Sequence, residues 1–401
     1  MVEENNGVSR RNVLKVAGGS LATTVGMSGL SAAKPTDKVE VNVGFNSNRG
    51  RSAARNQADD VVREFNSIDA MTIRVAKQAA TALEKNPNIR YVEQNGMMQA
   101  LGETLPWGVD RVDAEVAHAN GEKGAGADVA IIDTGIDDDH PDLQDYLGAG
   151  EAFVACGNGG YFGNCSYSGN NNACNYAWSD DNDHGTHCAG IAAGDDNSRG
   201  VVGVGPDITL HAVKVLDCSG SGSYSDIAAG IEHVADQGWD VGSLSLGGSA
   251  SQTVKDAVEY AYNNGVSLVA AAGNDGQCTD CVGYPAAYPE TIAVASSNQS
   301  DGQSSFSSQG PEVNIIAPGS DIYSTVPSGY DTFSGTSMAT PHVAGAVGQL
   351  IANGSSARNA EDTILSTAKD LGLSSNVQGQ GLLDVAAALG LDSSDDTTSN
   401  N

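Results

Sequence analysis

Short apolar runs alternate with helical segments along the chain after residue 102, and this alternation limits the possible folds most. The runs are four to seven residues long and rich in Val, Ile and Ala, which is typical of strands buried on both faces. Strands are predicted at residues 129–132, 209–215, 241–246, 266–271 and 291–295. Helices are predicted between them at residues 185–193, 224–237 and 250–263. The alternation predicts an α/β domain in which helical layers cover a mostly parallel sheet.

Three glycine-containing segments lie at the ends of these elements. Asp133 ends a strand in IIDTG, His184 begins a helix in DHGTH, and Ser337 begins a helix in GTSMATPH. Open α/β sheets gather such positions at the carboxyl ends of their strands. We therefore expect the three side chains to lie together.

The three residue types suit nucleophilic catalysis. A serine hydroxyl needs a base to take its proton as it attacks, and imidazole titrates near neutral pH. A carboxylate after an apolar strand is costly to bury without a partner, so Asp133 is expected to hold the second nitrogen of His184. His187 does not complete a zinc motif, because zinc proteases place a Glu between histidines spaced four apart.

The order Asp, His, Ser in these contexts, with AAGN at residues 271–274, resembles the subtilase family of serine proteases. The resemblance implies a subtilisin-like three-layer domain and a serine endopeptidase that works through an acyl-enzyme. It implies that Asp133, His184 and Ser337 form the catalytic triad. It also implies that Asn274 and the Ser337 N–H form the oxyanion hole. Within the family the chain resembles secreted haloarchaeal enzymes of the halolysin type.

Two segments resemble the family's substrate-binding strands. Gly220, Ser221 and Gly222 would pair with an extended peptide. The S1 pocket would have one wall formed by Ser245, Leu246 and Gly247 and another formed by Ala272 and Gly273. Neither wall brings in a charge, so we expect broad specificity favouring bulky neutral P1 residues. A selective processing subtilase with the same triad is the alternative, and a catalytically silent binding protein would lack a triad residue or Asn274.

Residues 34–101 predict a second, smaller unit. Strand-like stretches at 39–45, 71–75 and 88–94 and helical composition at 53–65 and 76–85 suggest a β-α-β-β-α-β, ferredoxin-like α+β unit. It resembles the inhibitory propeptide of subtilases, which would serve the chain as intramolecular chaperone and inhibitor. The expected cut, near Leu101 and Gly102, leaves a protease domain at 102–392 and a polar acidic tail at 393–401.

Charge is distributed unevenly across that cut. Residues 1–101 carry 13 Lys and Arg against 10 Asp and Glu, whereas residues 102–401 carry 7 against 40. A large acidic excess is tolerable at molar salt, where the Debye length is about 3 Å, so the charge predicts adaptation to high salt. It disfavours nucleic acid and anionic membranes as partners. No apolar run reaches the roughly 18 residues of a membrane helix. The expected partners are polypeptide substrates, and the enzyme is expected to be a monomer.

The first residues predict export. Arg10 and Arg11 precede a weakly apolar, Gly- and Ala-rich stretch that ends in Ser31-Ala32-Ala33. This order resembles a twin-arginine signal peptide over residues 1–33 and predicts a secreted, extracellular product.

Calcium and disulfides are expected in the exported enzyme. Residues 195–201 resemble the subtilase loop that folds around structural Ca²⁺. The predicted ligands are the Asp142 carboxylate, the Asn197 side chain and the carbonyls of Asp195, Arg199 and Val201. Seven cysteines predict disulfides with one thiol left over, and Cys188 is the best free candidate. Cys278 and Cys281 could close a small loop, but the pairing of the other cysteines stays open.

Overall fold

The computed structural model describes residues 38–65, 67–95, 103–157, 174–276, 278–327 and 329–393. The chain forms two compact units, Met1–Ala100 and Leu101–Asn401. Within the described ranges, no helix has the length and the apolar character needed to cross a membrane. The predicted signal peptide, the predicted cut and the predicted tail after residue 393 lie outside the described residues.

The first unit is a four-stranded antiparallel sheet with two helices, in the sheet order β2-β3-β1-β4. Alternate residues of its strands, including Val41, Val43, Ile73 and Val75, form a buried core. The predicted β-α-β-β-α-β order is confirmed. Its elements are β1 (Lys38–Phe45), α1 (Asn48–Gln57), β2 (Asp60–Glu64), β3 (Ala70–Ala76), α2 (Lys77–Glu84) and β4 (Ile89–Gln94).

One boundary in this unit was predicted wrongly. Residues 53–65 have helical composition, yet helix α1 ends at Gln57 and residues 60–64 form strand β2. The backbone turns to an extended conformation at Ala58, and Val61 packs on the core beside strand β3. β-branched valines suit an edge strand, so tertiary packing decides the structure of this segment.

The second unit is built on seven parallel strands in the order β11-β10-β9-β8-β5-β7-β6. All five predicted strands are present, some shortened or shifted by one or two residues. The sheet strands are β5 (Asp128–Asp133), β6 (Leu147–Ala152), β7 (Thr209–Lys214), β8 (Val241–Leu244), β9 (Ser267–Ala271), β10 (Ile292–Ser297) and β11 (Val313–Pro318). A hairpin of β12 (Ile322–Val326) and β13 (Gly329–Phe333) lies apart from this sheet.

Helices cover both faces of the sheet. The helices are α3 (Trp107–Arg111), α4 (Ala114–Ala119), α5 (His184–Ala193), α6 (Tyr224–Gln237), α7 (Gln252–Asn263), α8 (Thr336–Ala352), α9 (Ala357–Ser366), α10 (Ser375–Gln378) and α11 (Val385–Ala388). In strand β5, Val129 and Ile131 join the core under α5 and α8. Ala130 and Ile132 face the opposite core under α6 and α7. This two-residue alternation produces the predicted three layers.

A buried ion pair lies at the carboxyl end of the sheet. Lys214 ends strand β7 in register with Asp133, and its side chain is fully buried. Its Nζ donates to Asp181 Oδ1 at 2.6 Å and to the carbonyls of Thr134 at 2.6 Å and Leu216 at 2.9 Å. All three ammonium hydrogens therefore have acceptors, as a buried charge requires. The pair joins the segments that follow β5 and β7 to the loop that leads into α5.

Candidate active site

The buried carboxylate of Asp133 contacts the imidazole of His184. Asp133 is fully buried at the end of β5, where its Oδ1 accepts the N–H of Thr134 at 2.7 Å. The Nδ1 of His184 lies 2.8 Å from Oδ1 and 3.0 Å from Oδ2. This arrangement fixes the imidazole with Nδ1 protonated and leaves its other nitrogen available to act as a base.

The pKa of His184 is raised above the ordinary value. Burial by itself lowers the pKa of this imidazole, but the charge and hydrogen bond of Asp133 and the charge of Asp180 outweigh it. A histidine acts as a base only when neutral. The base function is therefore lost as pH falls through this raised pKa.

Ser337 is the second residue of helix α8 and lies beside the same strand ends. Its Oγ donates to the carbonyl of Ser245 at 3.3 Å. In the described part of the chain, no hydrogen bond joins it to His184. Its backbone is held firmly, because Ser245 Oγ donates to the Ser337 carbonyl at 2.8 Å and Cys188 Sγ donates to it at 3.5 Å. A change of side-chain rotamer alone would redirect the hydroxyl, and such bonds often tighten only when substrate is bound.

Asn274 and the start of helix α8 form a pair of converging donors. Asn274 Oδ1 accepts the N–H of Thr336 at 2.9 Å and its hydroxyl at 3.1 Å. These bonds orient the amide so that its Nδ2 points away from Thr336. A Cβ placed on Gly335 would lie 3.5 Å from Ser337 N and 3.6 Å from Asn274 Nδ2, so the two nitrogens lie close to one point beside Gly335. Two preorganised N–H donors beside a serine suit a developing oxyanion.

A cleft of about 470 Å³ opens beside His184. Six of the residues predicted to bind substrate line it: Gly220, Ser221, Gly222, Ser245, Leu246 and Gly247. Ala272 and Gly273 do not line this cleft. Ala272 is fully buried, and the Gly273 N–H donates to Thr336 Oγ1 at 3.2 Å. Sequence reasoning missed several lining residues that carry no motif: Asn182, Leu216, Tyr224, Ile227, Val254, Tyr284 and Pro285.

Comparisons with known proteins agree with this geometry. Residues 124–381 match the Subtilase family, and residues 38–95 match the Fervidolysin N-terminal prodomain. The chain belongs to the subtilase family. It is 38% identical to Subtilisin E of Bacillus subtilis (strain 168) over 375 residues, which cover 90% of this chain and 93% of that protein. It is 40% identical to an alkaline protease of Alkalihalobacillus alcalophilus over 333 residues, covering 82% and 81%.

A subtilase of this kind is a serine endopeptidase with peptide substrates, and the first unit is its prodomain. The likeness extends to Alkaline elastase YaB of Bacillus sp. (strain YaB), which is 39% identical over 341 residues, 84% of each chain. The prediction of a subtilisin-like serine protease is therefore confirmed.

The residues predicted to bind calcium lie together in this subtilase. Asp142 is fully buried, and its Oδ2 accepts the N–H of Val201 at 2.7 Å while its Oδ1 accepts Asn197 Nδ2 at 3.1 Å. The N–H of Asp195 donates to the Asp142 carbonyl at 2.8 Å. Sequence reasoning missed Glu103, whose Oε1 accepts the N–H of Asn197 at 2.9 Å. Glu103 lies far upstream in the chain, so the sequence pattern does not indicate that it contacts this loop.

The cysteines divide as expected where the structure describes them. Cys188 is free and fully buried, and burial raises its pKa well above the ordinary thiol value, so it is not a thiolate at neutral pH. Cys278 pairs with Cys281, and Cys156 pairs with Cys174. The second pairing was left open by the sequence.

We predict that Asn274→Ala lowers kcat by roughly 100- to 1,000-fold with little change in KM. The amide would stabilise charge that develops only in the transition state. Steady-state kinetics on a small chromogenic peptide measure both constants. Asn264→Ala is the matched control, because the Asn264 side chain only donates to the Tyr260 carbonyl at the end of helix α7. A kcat within two- to threefold of wild type in Asn274→Ala would remove this residue from the oxyanion hole.

Proposed function

We propose that this subtilase is a secreted endopeptidase of broad specificity in which Asp133, His184 and Ser337 form the catalytic triad. The observation that carries the proposal is the double contact of His184 Nδ1 with the buried Asp133 carboxylate, at 2.8 and 3.0 Å. It orients the imidazole as a base, and the backbone N of Ser337 lies close to the same point beside Gly335 as Asn274 Nδ2.

The reaction follows from these positions. His184 takes the proton of Ser337 as Oγ attacks the peptide carbonyl carbon, and Asp133 stabilises the imidazolium that forms. The N–H of Ser337 and the amide of Asn274 bind the oxyanion. His184 then gives the proton to the leaving amine, which leaves an acyl-enzyme on Ser337. Water, deprotonated by His184, hydrolyses this ester and regenerates the serine.

We infer that the enzyme is made as a zymogen that cuts itself near Leu101 and Gly102. The prodomain match ends at residue 95, and the compact units divide between residues 100 and 101. The charge also changes sign in this region. A weakly positive prodomain would be attracted to a strongly negative protease, and high salt would weaken the attraction.

Self-processing tests the proposed function directly. After refolding in about 3 M salt, where exposed charges are strongly screened, wild type is expected to lose residues up to about Leu101. Ser337→Ala is expected to keep its full mass, because the nucleophile is gone. Intact mass spectrometry distinguishes the two products. Processing of Ser337→Ala in the absence of other protease would exclude Ser337 as the nucleophile, and a wild type that stays whole would exclude self-cleavage.

Neutral substrate side chains fit the cleft. Its lining combines Leu216, Ile227, Leu246, Val254 and Tyr284 with glycines and serines, and the described residues that line it include no Asp, Glu, Lys or Arg. A charged P1 side chain would lose solvation there without gaining a partner.

A charge placed in the cleft should change this preference. A Cβ on Gly247 would meet only the Tyr284 carbonyl, at 3.9 Å, so the position has room for a side chain. Gly247→Asp is expected to raise kcat/KM for a Lys peptide relative to a Leu peptide by about tenfold, equal to about 1.4 kcal/mol. Gly247→Asn controls for shape. If the Lys-to-Leu ratio of kcat/KM is the same in Gly247→Asp and Gly247→Asn, the P1 side chain does not bind beside residue 247.

Calcium is proposed as a structural ion at the Asp142 loop. The carboxylates of Glu103, Asp142 and Asp195 and the side chain of Asn197 offer the oxygen donors that Ca²⁺ prefers, with the carbonyls of Arg199 and Val201. Asp195 Oδ1 is buried without a hydrogen-bond donor, and burial raises the pKa of Asp195 to about 6. Uncompensated acidic groups of this kind fit a bound cation, whose role would be to hold the loop.

Salt and calcium should stabilise the protease unit separately. The three tryptophans, Trp107, Trp178 and Trp239, all lie in this unit, so fluorescence reports its unfolding alone. In Ser337→Ala, which avoids autolysis, NaCl up to about 3 M is expected to raise the unfolding midpoint because it screens repulsion. Excess Ca²⁺ is expected to add about 2.7 kcal/mol at 100 times its Kd.

Substitutions separate these two effects. With Asp142→Asn added, the calcium effect should vanish while the salt effect stays. Asp236→Asn, which removes an exposed carboxylate bonded to Tyr260, should keep both effects. A midpoint unchanged by chelator in the Asp142-intact chain would exclude the calcium site, and a midpoint unchanged by NaCl would exclude salt adaptation.

We also propose export by the twin-arginine route and a monomeric product. The order of Arg10, Arg11, the weakly apolar stretch and Ala33 supports export of a folded chain. The acidic excess beyond residue 101 supports a monomer, because like charges repel second copies.

A further inference from the structure

We propose that Asp180 is a positioning residue for the reaction, because its buried carboxylate joins Thr134 to the start of helix α5 and so holds His184 against Asp133. The inference rests on the proposed role of His184 as the catalytic base. Asp180 takes no part in the proton transfers of the proposed reaction, and no sequence motif identifies it.

Thr134, Asn182, Asp183 and Thr186 together donate five hydrogen bonds to this carboxylate. Oδ1 accepts Thr134 Oγ1 at 2.8 Å, the N–H of Asn182 at 2.9 Å and the N–H of Asp183 at 3.3 Å. Oδ2 accepts the N–H of Thr186 at 2.9 Å and its hydroxyl at 2.6 Å. Asp180 is fully buried. A group with this many partners is held in a single orientation, and so are the segments that donate to it.

The hydroxyls show which form of the carboxyl the site holds. Thr134 Oγ1 accepts the N–H of Gly185 at 2.8 Å, and Thr186 Oγ1 accepts the N–H of Asp137 at 3.0 Å. Each hydroxyl hydrogen is therefore free to donate to Asp180. Both oxygens of Asp180 act as acceptors in these five bonds, which is the bonding pattern of an ionised carboxylate. Burial raises the pKa of Asp180, and the bonds from Thr186, Asn182 and Thr134 oppose that rise.

Thr134 carries the link to the catalytic pair. It directly follows Asp133, and its side chain bonds both Asp180 and the Gly185 N–H, which directly follows His184. The two strands of chain approach so closely that a Cβ on Gly185 would overlap the Gly135 carbonyl. The bonds of Thr134 to Asp180 and to Gly185 therefore link the same two segments of chain as the Asp133–His184 bond, and they help to fix the distance between those segments.

Asp180 also anchors a strained backbone. Asp183, the residue before His184, has a positive φ of 92° and its side chain makes no capping bond to helix α5. A non-glycine residue persists in this conformation only when its surroundings hold it there. Asp180 accepts N–H groups on both sides of the helix start, where a negative charge is also favoured.

The charge of Asp180 acts on His184 as well. Asp133 on strand β5 and Asp180 on the preceding loop both raise the pKa of His184. His187 and Cys188 face it from its own helix, and the pair of Lys214 with Asp181 lies beyond Thr134. Loss of the Asp180 charge should therefore lower the pKa of His184, so that the neutral base persists to lower pH.

The test is the pH dependence of kcat/KM in Asp180→Asn. An asparagine turns one oxygen into an amide donor that must face the donors of either Thr186 or Thr134, Asn182 and Asp183, so the helix start should shift. We expect kcat/KM at its plateau to fall by roughly 10- to 100-fold, because small misplacements of a base are costly. The acid limb should also move to lower pH, which loss of structure alone would not cause. A wild-type plateau and an unmoved acid limb in folded Asp180→Asn overturn the inference.

Asp384→Asn is the matched control for this variant. Asp384 is another buried carboxylate at a helix start, where its Oδ1 accepts the N–H of Ala387 at 2.7 Å. It caps the start of helix α11 and is not among the groups that shift the pKa of His184. Its pH profile should match wild type.

Thr134 keeps the proposal testable if Asp180→Asn does not fold. Thr134→Val removes the bonds to Asp180 and Gly185 while the charge of Asp180 stays, so kcat/KM should fall with an unmoved acid limb. Thr134→Ser restores the hydroxyl and should restore activity. Equal activity of Thr134→Val and Thr134→Ser would show that the Thr134 hydroxyl does not link Asp180 to the catalytic pair. His184→Ala tests the base role of His184 separately from the positioning role of Asp180. Activity in His184→Ala would refute the base role. If His184→Ala is inactive, the Asp180→Asn result alone decides the positioning role.

Discussion

The hydrogen bond between Asp133 and His184 is the constraint around which the protease unit is organised. It joins the interior strand β5 to the first residue of helix α5. A carboxylate with no exposed surface at that strand end needs the imidazole as its partner. The layers on either side of β5 hold the strand rigidly, so the position of the acid follows from packing of the whole sheet.

The carboxyl end of the sheet concentrates charges that must be balanced. Asp133, Asp180 and Asp181 are all buried there, together with the cation of Lys214. Each has specific partners, and these partners are the backbone segments that carry the reactive groups. Burying charges in this way adds little net stability, since desolvation offsets the attraction. The physical gain is that loops leading into helix α5 have one arrangement, which a base in acyl transfer requires.

The sequence predicted the elements that have strong local signals. Strand β5 and helices α5 and α6 were predicted almost residue for residue, because apolar runs and Gly-flanked helix starts mark them. Strand β6 was missed, because its sequence, LGAGEA, has two glycines and a glutamate, and only pairing with β7 makes it a strand. Strand β11 was missed for a similar reason, since Asn314 and two prolines surround its short apolar core.

The residues of the site also fall into two groups, those that sequence motifs identify and those that only the structure reveals. Motifs identified Asp133, His184, Asn274 and Ser337, and the structure brings all four to the carboxyl end of one sheet or to the helices that begin there. Glu103, Tyr284 and Asp180 could not be found from spacing, because their roles depend on contacts between segments distant in the chain. Asp180 is the clearest case, since its five donors come from Thr134 and from three residues that follow it.

Covalent labelling identifies the nucleophile and shows whether His184 activates it. A fluorophosphonate reagent is added to the refolded wild type, to His184→Ala and to the control variant Asn264→Ala, and the labelled peptide is mapped by mass spectrometry. We predict one label, on Ser337, in wild type and Asn264→Ala, and its loss in His184→Ala because an unactivated hydroxyl reacts slowly. Labelling at another residue, or equal labelling of Ser337 without His184, would contradict it.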